Sequence, residues 1–362
     1  MKAKYWHKDF SWDGNSFSTD QDIIDFVTDH YPELSVFINE WFGDSGQIHM
    51  KTSGSTGKPK TILLSREHMI NSARATAAFF NLEAGSKALL CLPLGFIAGR
   101  MMLVRAMVMG WHLDSIEPSS TPDIPQNRSY NFSAMVPLQL HNSLDHLSHI
   151  KTLIVGGGEV PSSLSEKIQN LTTKIYATYG MTETITHVAL SPLSKSAGKR
   201  GSETIFRALP GVHLSTDNRQ CLLINAPHIC SEELVTNDIV DLRSDASFKW
   251  LARYDHVINS GGIKLIPELI EARYKNLIDR AFFVYGVPDQ RLGERLVLVI
   301  EGEERNQILN KINEFQQQLN DAVPKYEIPK EILFVKNFVR TETGKINRSK
   351  SVKLLSASRD KS

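Results

Sequence analysis

Cysteine is almost missing from this chain: Cys91, Cys221 and Cys230 are the three in 362 residues. No two share a CxxC spacing and three cannot build a disulfide framework, so a disulfide-stapled secreted scaffold is excluded and a reducing compartment, the cytoplasm, is expected. Net charge is missing as well. Lysine plus arginine number 41 against 40 acidic residues, a balance of +1, which gives no broad electrostatic footprint for nucleic acid or an anionic membrane. Any phosphate binding must be local. No apolar run approaches the roughly 20 residues of a membrane span, and residues 1–20 mix Trp6, Phe10 and Trp12 with charges and lack an apolar leader core. An unexported protein without membrane insertion is the expectation. Repeats and low-complexity tracts are absent too, and a homo-oligomer is compatible with this composition.

What is present begins with length. A chain of 362 residues can bury a large core and exceeds one ordinary domain, so two unequal domains are expected, at 1–252 and 253–362. Apolar residues at helical spacing over 23–42, broken by Tyr31-Pro32, predict two short helices. From Ile48 the pattern reads strand (48–50), polar loop (52–60), strand (61–64), then a helix opened by Ser65 and running to Phe80. Strands at 88–92, 134–136, 153–155 and 175–177, with a helix at 162–170, make the body α/β. Beyond about residue 200 the pattern is helix-poor and hairpin-like, with Pro210-Gly211 and Asp217-Asn218 as turns and a strand at 221–225. The second domain should hold helices at 267–277 and 305–319, strands at 281–287, 296–300 and 331–335, and a polar tail at 351–362 that frays.

The segment Thr52-Ser53-Gly54-Ser55-Thr56-Gly57-Lys58-Pro59-Lys60 packs hydroxyls, glycines and cations between two strands. Glycines let the backbone approach closely, hydroxyls and amides donate to oxygens, and lysines neutralise charge, which suits polyphosphate. A Walker A loop needs four residues between its first glycine and the Gly-Lys pair, and a Ser or Thr after the lysine. Here two residues separate Gly54 from Gly57 and Pro59 follows Lys58, so a P-loop NTPase is disfavoured. A flexible surface turn remains the plain alternative for this loop taken alone.

Further signatures follow in order: Gly156-Gly157-Gly158-Glu159, Tyr179-Gly180-Met181-Thr182-Glu183-Thr184, Thr236-Asn237-Asp238, and Ala252-Arg253-Tyr254-Asp255. After them come Ser260-Gly261-Gly262-Ile263-Lys264, Pro324-Lys325-Tyr326-Glu327-Ile328-Pro329 and Thr343-Gly344-Lys345-Ile346. Over about residues 48–350 this set resembles the adenylate-forming superfamily of acyl-CoA synthetases, firefly luciferases and peptide-synthetase adenylation domains. The resemblance implies a large α/β body of sheets layered with helices, shortened at its N-terminus, and a small mobile α+β C-terminal domain. It implies an acid:CoA ligase that uses ATP, Mg²⁺ and CoA, with small-molecule partners. A nucleotide-sensing homologue without turnover is the alternative from another class.

Residue by residue, the resemblance places Thr52, Ser53, Gly54, Ser55, Thr56, Gly57 and Lys58 on the ATP phosphates. It makes Glu183 the Mg²⁺ ligand, sets Thr182 at the AMP phosphate, Tyr179 and Gly180 near the adenine, and lays Gly157, Gly158 and Glu159 against the purine. Asp238 and Arg253 clamp the ribose, Lys345 bridges the carboxylate and α-phosphate, Asp255 is the hinge, and Gly261 with Gly262 lines the pantetheine channel. Each has an ordinary alternative: a helix-cap partner for Glu183, strand-end or β-turns for the glycines, a turn residue for Asp238, a solvated lysine for Lys345. Asn237 stands where the family has glycine, a mild change because asparagine tolerates left-handed backbone.

Two departures bear on the acid. About fifty residues precede the phosphate loop where the family has well over a hundred, and Phe96 stands where many ligases have histidine. The run Pro93 to Met102 resembles that of the short bacterial o-succinylbenzoate:CoA ligases of menaquinone biosynthesis. This acid is a dianion; Arg100 is the expected partner of its second carboxylate, with a helix-surface arginine as the alternative. Another aryl- or acyl-CoA ligase of the superfamily is the other reading.

Overall fold

The computed structural model of the chain describes residues 5–51, 61–198, 203–275, 277–303, 306–319, 324–340 and 346–359. Thirteen strands form one large sheet and five form a second. The middle of the large sheet is parallel: His112–Ser115, Lys87–Leu90, Tyr130–Met135, Ile150–Val155 and Lys174–Gly180 lie side by side in that order. The helices Arg66–Phe80 and Ile97–Met109 pack on each other against it. The first ends at Asn81 and the second at Gly110, both left-handed, the two residue types that adopt this geometry most readily.

Residues 5–51 seal one edge of this sheet. Ser11–Trp12 adds a parallel strand beside His112–Ser115, and the Trp12 indole stacks on Tyr31 at 4.3 Å while its Nε1 donates to Ser115 Oγ at 2.6 Å. Covering an edge in this way removes a template for intermolecular pairing. The helices Asp20–His30 and Ser35–Phe42 hold the segment down through Ile23, Val27, Phe37 and Trp41, all buried. Both were expected from periodicity, as was the break at Pro32.

Beyond Lys174–Gly180 the sheet turns antiparallel, through His187–Pro192, Phe206–Ala208, Ser247–Arg253 and Leu234–Ser244. This half curls. Four strand steps separate Lys174–Gly180 from Leu234–Ser244, about 19 Å in a flat sheet, yet the Tyr179 hydroxyl lies 2.6 Å from Asp238. Phe206 and Phe248 fill the curl, stacked at 5.5 Å, with Tyr179 edge-on to Phe248 at 4.9 Å.

The second sheet runs Ile263–Leu265, Ile258–Ser260, Gly293–Glu301, Phe282–Asp289, with Glu331–Val335 parallel to Gly293–Glu301. Pro267–Tyr274 packs on it, and Tyr254, Val257 and Ile266 also pack against Cys221, Ile239 and Ala252 of the large sheet. The C-terminal tail departs from expectation. It is helical over Arg348–Arg359, because Ser351 is buried, with its Oγ donating to the Asn347 carbonyl and accepting from the Val339 amide, while Val352 packs on the Phe283 cluster. Ser65 begins its helix but makes no side-chain cap bond. No helix among the described residues is long and apolar enough to cross a membrane.

Candidate active site

Parallel strands present ligand sites beyond their carboxyl ends, where loops from neighbouring strands meet. Four loops of this sheet do so. Phe96 lies after Lys87–Leu90, Val136 after Tyr130–Met135, Gly156 to Glu159 after Ile150–Val155, and Met181 to Thr186 after Lys174–Gly180. Gly156 must lack a side chain, since a Cβ would sit 2.4 Å from Thr178 Oγ1. Gly157 is left-handed at φ +80°, beside Val136, and Gly157, Gly158 and Glu159 are exposed.

The Met181–Thr186 loop folds back on its strand. A Cβ on Gly180 would meet the Thr186 carbonyl at 2.2 Å. The buried Thr184 hydroxyl accepts from the Met181 amide at 2.9 Å and donates to the Thr186 carbonyl at 2.7 Å. This turn forces Ile185 to φ +67°, a strained geometry for a β-branched residue that persists only when its surroundings over-determine it. The result holds Thr182 half-buried and points Glu183 to solvent. One exposed carboxylate on this loop fits Mg²⁺, which takes one or two protein carboxylates and fills its shell with phosphate oxygens and water. Among the described residues no group of three or more His, Cys, Asp or Glu could form a protein cage.

Tyr179, Asp238, Arg253 and Asp255 come together. Asp238 is buried on Leu234–Ser244, its amide bonded to Thr236 Oγ1 at 3.0 Å. Tyr179 donates to its Oδ2 at 2.6 Å, Trp250 Nε1 to its Oδ1 at 3.1 Å, and Arg253 Nη1 lies 3.5 Å from Oδ1. Burial, then the neighbouring Asp238 charge, pushes the Tyr179 phenol up, so it stays a proton donor at physiological pH. Arg253 also grips Asp255 at 2.9 and 3.2 Å, joining the ribose-clamp position to the hinge position. Trp250 escaped the sequence reading; its register opposite Val240 on a strand ending at Arg253 was the available signal.

Arg100 turns two of its nitrogens to main-chain carbonyls. Its Nε donates to the Leu94 carbonyl at 3.0 Å and its Nη1 to the His49 carbonyl at 3.3 Å. One helical turn on, Arg105 is only 1% exposed and has no anionic partner among the described residues. It donates to Thr76 Oγ1 at 3.2 Å and Thr186 Oγ1 at 2.9 Å, and burial lowers its pKa to about 9. His187 Nδ1 lies 3.3 Å from the same Thr186 hydroxyl, and its Nε2 is buried without a partner among the described residues. Burial, then the Arg105 charge, holds His187 well below its usual pKa. Arg105 and His187 thus form a buried polar cluster without a carboxylate among the described residues, between the Phe96 helix and the Glu183 loop.

Thr52 through Lys58, and Lys345, lie outside the described residues; Arg340 and Ile346 pair as an antiparallel bridge. Gly261 and Gly262 form an exposed, left-handed turn on the second sheet, and Asp255 is exposed.

Residues 48–216 match the family described as AMP-binding enzyme, and 278–345 match the AMP-binding enzyme C-terminal domain. A solved acyl-CoA synthetase (AMP-forming)/AMP-acid ligase II-like protein from Dyadobacter fermentans is 35% identical, with 90% of this chain and 95% of that one covered and a TM-score of 0.59. The 2-succinylbenzoate–CoA ligase of Listeria monocytogenes serotype 4b is 26% identical over 351 residues, 88% of this chain and 72% of the relative. The fold also matches O-succinylbenzoate Coenzyme A Synthetase from Bacillus subtilis, solved with ATP and magnesium ion, at TM-score 0.68 and 19% identity over 84% of this chain and 69% of that one.

The His187 environment predicts a pH signature. Its folded pKa is depressed below the unfolded value near 6.5, so the unfolded chain takes up a proton that the folded chain refuses. Stability should fall as pH drops below about 6.5, by up to about 1.4 kcal/mol per pH unit from this residue. Denaturant unfolding of wild type and His187→Gln across pH 5 to 7.5 should show the variant with the shallower slope; parallel slopes would refute the assignment.

Proposed function

Because the chain belongs to the AMP-binding enzyme family, we propose that it is an ATP-dependent, AMP-forming acid:CoA ligase whose acid is a dicarboxylate, o-succinylbenzoate being the best match. A carboxylate is a poor acyl donor because its oxygen leaves badly. Attack of a carboxylate oxygen on the α-phosphorus of ATP, with departure of pyrophosphate, converts it to a mixed anhydride with AMP. Attack of the CoA sulfur on the acyl carbon then expels AMP and leaves the thioester, the thiol proton passing to solvent. Such chemistry asks the protein for positioning and charge stabilisation more than for a nucleophile of its own.

The residues divide along those lines. Asp238 and Arg253 receive the ribose hydroxyls, with Tyr179 and Trp250 fixing the carboxylate that does so. Gly157 and Gly158 offer a flat backbone to the purine, and Thr52 to Lys58 surround the phosphates. Glu183 would hold Mg²⁺, which when bound neutralises charge on the polyphosphate. Lys345 bridges the reacting carboxylate and the α-phosphate during adenylation; one lysine cannot fill the site while a thiol enters, so Asp255 is the hinge about which residues 253–362 turn between the half-reactions.

The observation that carries the dicarboxylate is the buried Arg105. A guanidinium with no anionic partner among the described residues is held away from water at a cost of several kcal/mol, and beside it the buried His187 Nε2 has no partner among them either. A second carboxylate supplies the anion that Arg105 lacks. Arg105 fits this role better than Arg100, which is only half-buried and whose Nε and Nη1 meet carbonyls.

Two measurements follow. Turnover of an acid panel should favour o-succinylbenzoate over aryl acids with a single carboxylate. In Arg105→Met that preference, as a ratio of kcat/KM, should fall at least about tenfold, the usual weight of a charged hydrogen bond; an unchanged ratio would remove the dicarboxylate. Lys345→Ala should lose ATP–pyrophosphate exchange by about two orders of magnitude or more while still turning over preformed acyl adenylate. Retained exchange would contradict the role of Lys345.

A further inference from the structure

Glu268 and Glu271, three residues apart on the helix Pro267–Tyr274, both meet Arg348. Arg348 Nη1 lies 2.8 Å from Glu271 Oε1 and Nη2 donates to Oε2 at 3.1 Å, a two-point fork. Nη1 also reaches the Val284 carbonyl at 3.4 Å, and Nη2 stands 3.5 Å from Glu268 Oε1. Glu271 Oε1 further accepts from the Val284 amide at 2.8 Å, so the carboxylate is itself fixed to the second sheet. The Arg348, Glu271 and Glu268 side chains are only 19, 18 and 12% exposed, which separates this cluster from exposed ion pairs that contribute little. A planar guanidinium gripped along its fork is held in orientation as well as in place.

The place of Arg348 in the chain gives this grip a use. It is the third residue after Lys345. Arg340 and Ile346 pair as an antiparallel bridge, and the Asn347 amide donates to the Val339 carbonyl at 2.7 Å, so the chain before and after residues 341–345 is tied together. On the leading side Glu301 accepts from the Phe338 amide and from Arg340 Nη2, each at 2.7 Å. On the following side Arg348 supplies the charged anchor. Glu268 Oε1 also lies 2.7 Å from His256 Nδ1, and His256 directly follows Asp255. One ion network therefore joins the hinge position to the residues next to Lys345. A lysine is a point charge on a flexible four-carbon stem, and a misplacement of about 1 Å at a reacting centre can cost about a hundredfold in rate, so the backbone that carries it has to be held.

We infer that Arg348 is a positioning residue for Lys345: by locking the chain behind that lysine to Glu271 and Glu268, it fixes the base from which the ammonium reaches the reacting carboxylate and the α-phosphate. This rests on the adenylation role given to Lys345 above and adds to it the group that holds the lysine in place. Arg348 itself touches no reacting atom. Its effect is confined to adenylation, because the thioester half-reaction does not use Lys345.

Arg348→Lys keeps a cation beside Glu271 and removes the fork, so no buried carboxylate is left without a counter-charge. ATP–pyrophosphate exchange and the conversion of preformed acyl adenylate to acyl-CoA, measured on one preparation of the full chain, give a ratio that does not depend on how much of a variant is folded. In Arg348→Lys the ratio of exchange to conversion should fall at least about tenfold, the weight of a charged hydrogen bond. Added to Lys345→Ala, the same change should leave the residual exchange within about twofold, because a residue that works through Lys345 then has nothing to place. An unchanged ratio in Arg348→Lys, two half-reactions that fall together, or a residual exchange that drops again in the double variant would each overturn the inference. Exchange retained in Lys345→Ala alone would defeat the role of Lys345 and the route through it. Exchange lost in Lys345→Ala beside an unchanged ratio in Arg348→Lys would defeat this inference and leave that role standing.

Discussion

The Asp238 carboxylate closes the curl of the large sheet. It sits on one strand, accepts a hydrogen bond from Tyr179 four strand steps away and another from Trp250 on the adjoining strand, and faces Arg253 at the end of that strand. Each donor is partly buried, so each would carry a desolvation cost without its acceptor. The aromatic filling of Phe206 and Phe248 makes the curl, and the carboxylate fixes its closure. A nucleoside arriving at Asp238 therefore meets a group whose position is set by three strands, the rigid support that a site needs to hold sub-ångström geometry.

Arg253 extends this constraint toward the second sheet. It lies between Asp238 and Asp255, so the residue expected to touch ribose also grips the residue expected to turn. The same economy shows in the Met181–Thr186 loop. The backbone strain at Ile185 comes from the fold-back that Gly180 permits and Thr184 bonds, and that fold-back sets Glu183 outward and Thr186 inward toward Arg105.

Much of this was legible in the amino-acid order. Hydrophobic periodicity located the two N-terminal helices, four of the five central parallel strands (His112–Ser115 was missed) and the hairpin-rich stretch after residue 200, because each element buries one face with its own period. Tyr179, Asp238, Arg253 and Asp255 were legible as motifs, each on a strand or just past its end. What escaped lay in long-range packing. Arg100 and Arg105 share a helix, and only tertiary structure shows that the first meets carbonyls while the second is sealed in without an anion. Trp250 carries no motif. The tail at 348–359 reads as polar, and its helix depends on Ser351 and Val352 docking on residues far away in sequence.

The account stands on Asp238 being the nucleoside anchor of an adenylation site. A crystal structure of the full chain with a non-hydrolysable acyl-sulfamoyl adenosine tests this most directly. The ribose hydroxyls should lie within hydrogen-bonding distance of the Asp238 carboxylate, with the purine over Gly157 and Gly158 and the acyl group directed toward Arg105. A nucleoside bound elsewhere, with Asp238 still bonded only to Tyr179, Trp250 and Arg253, would contradict it.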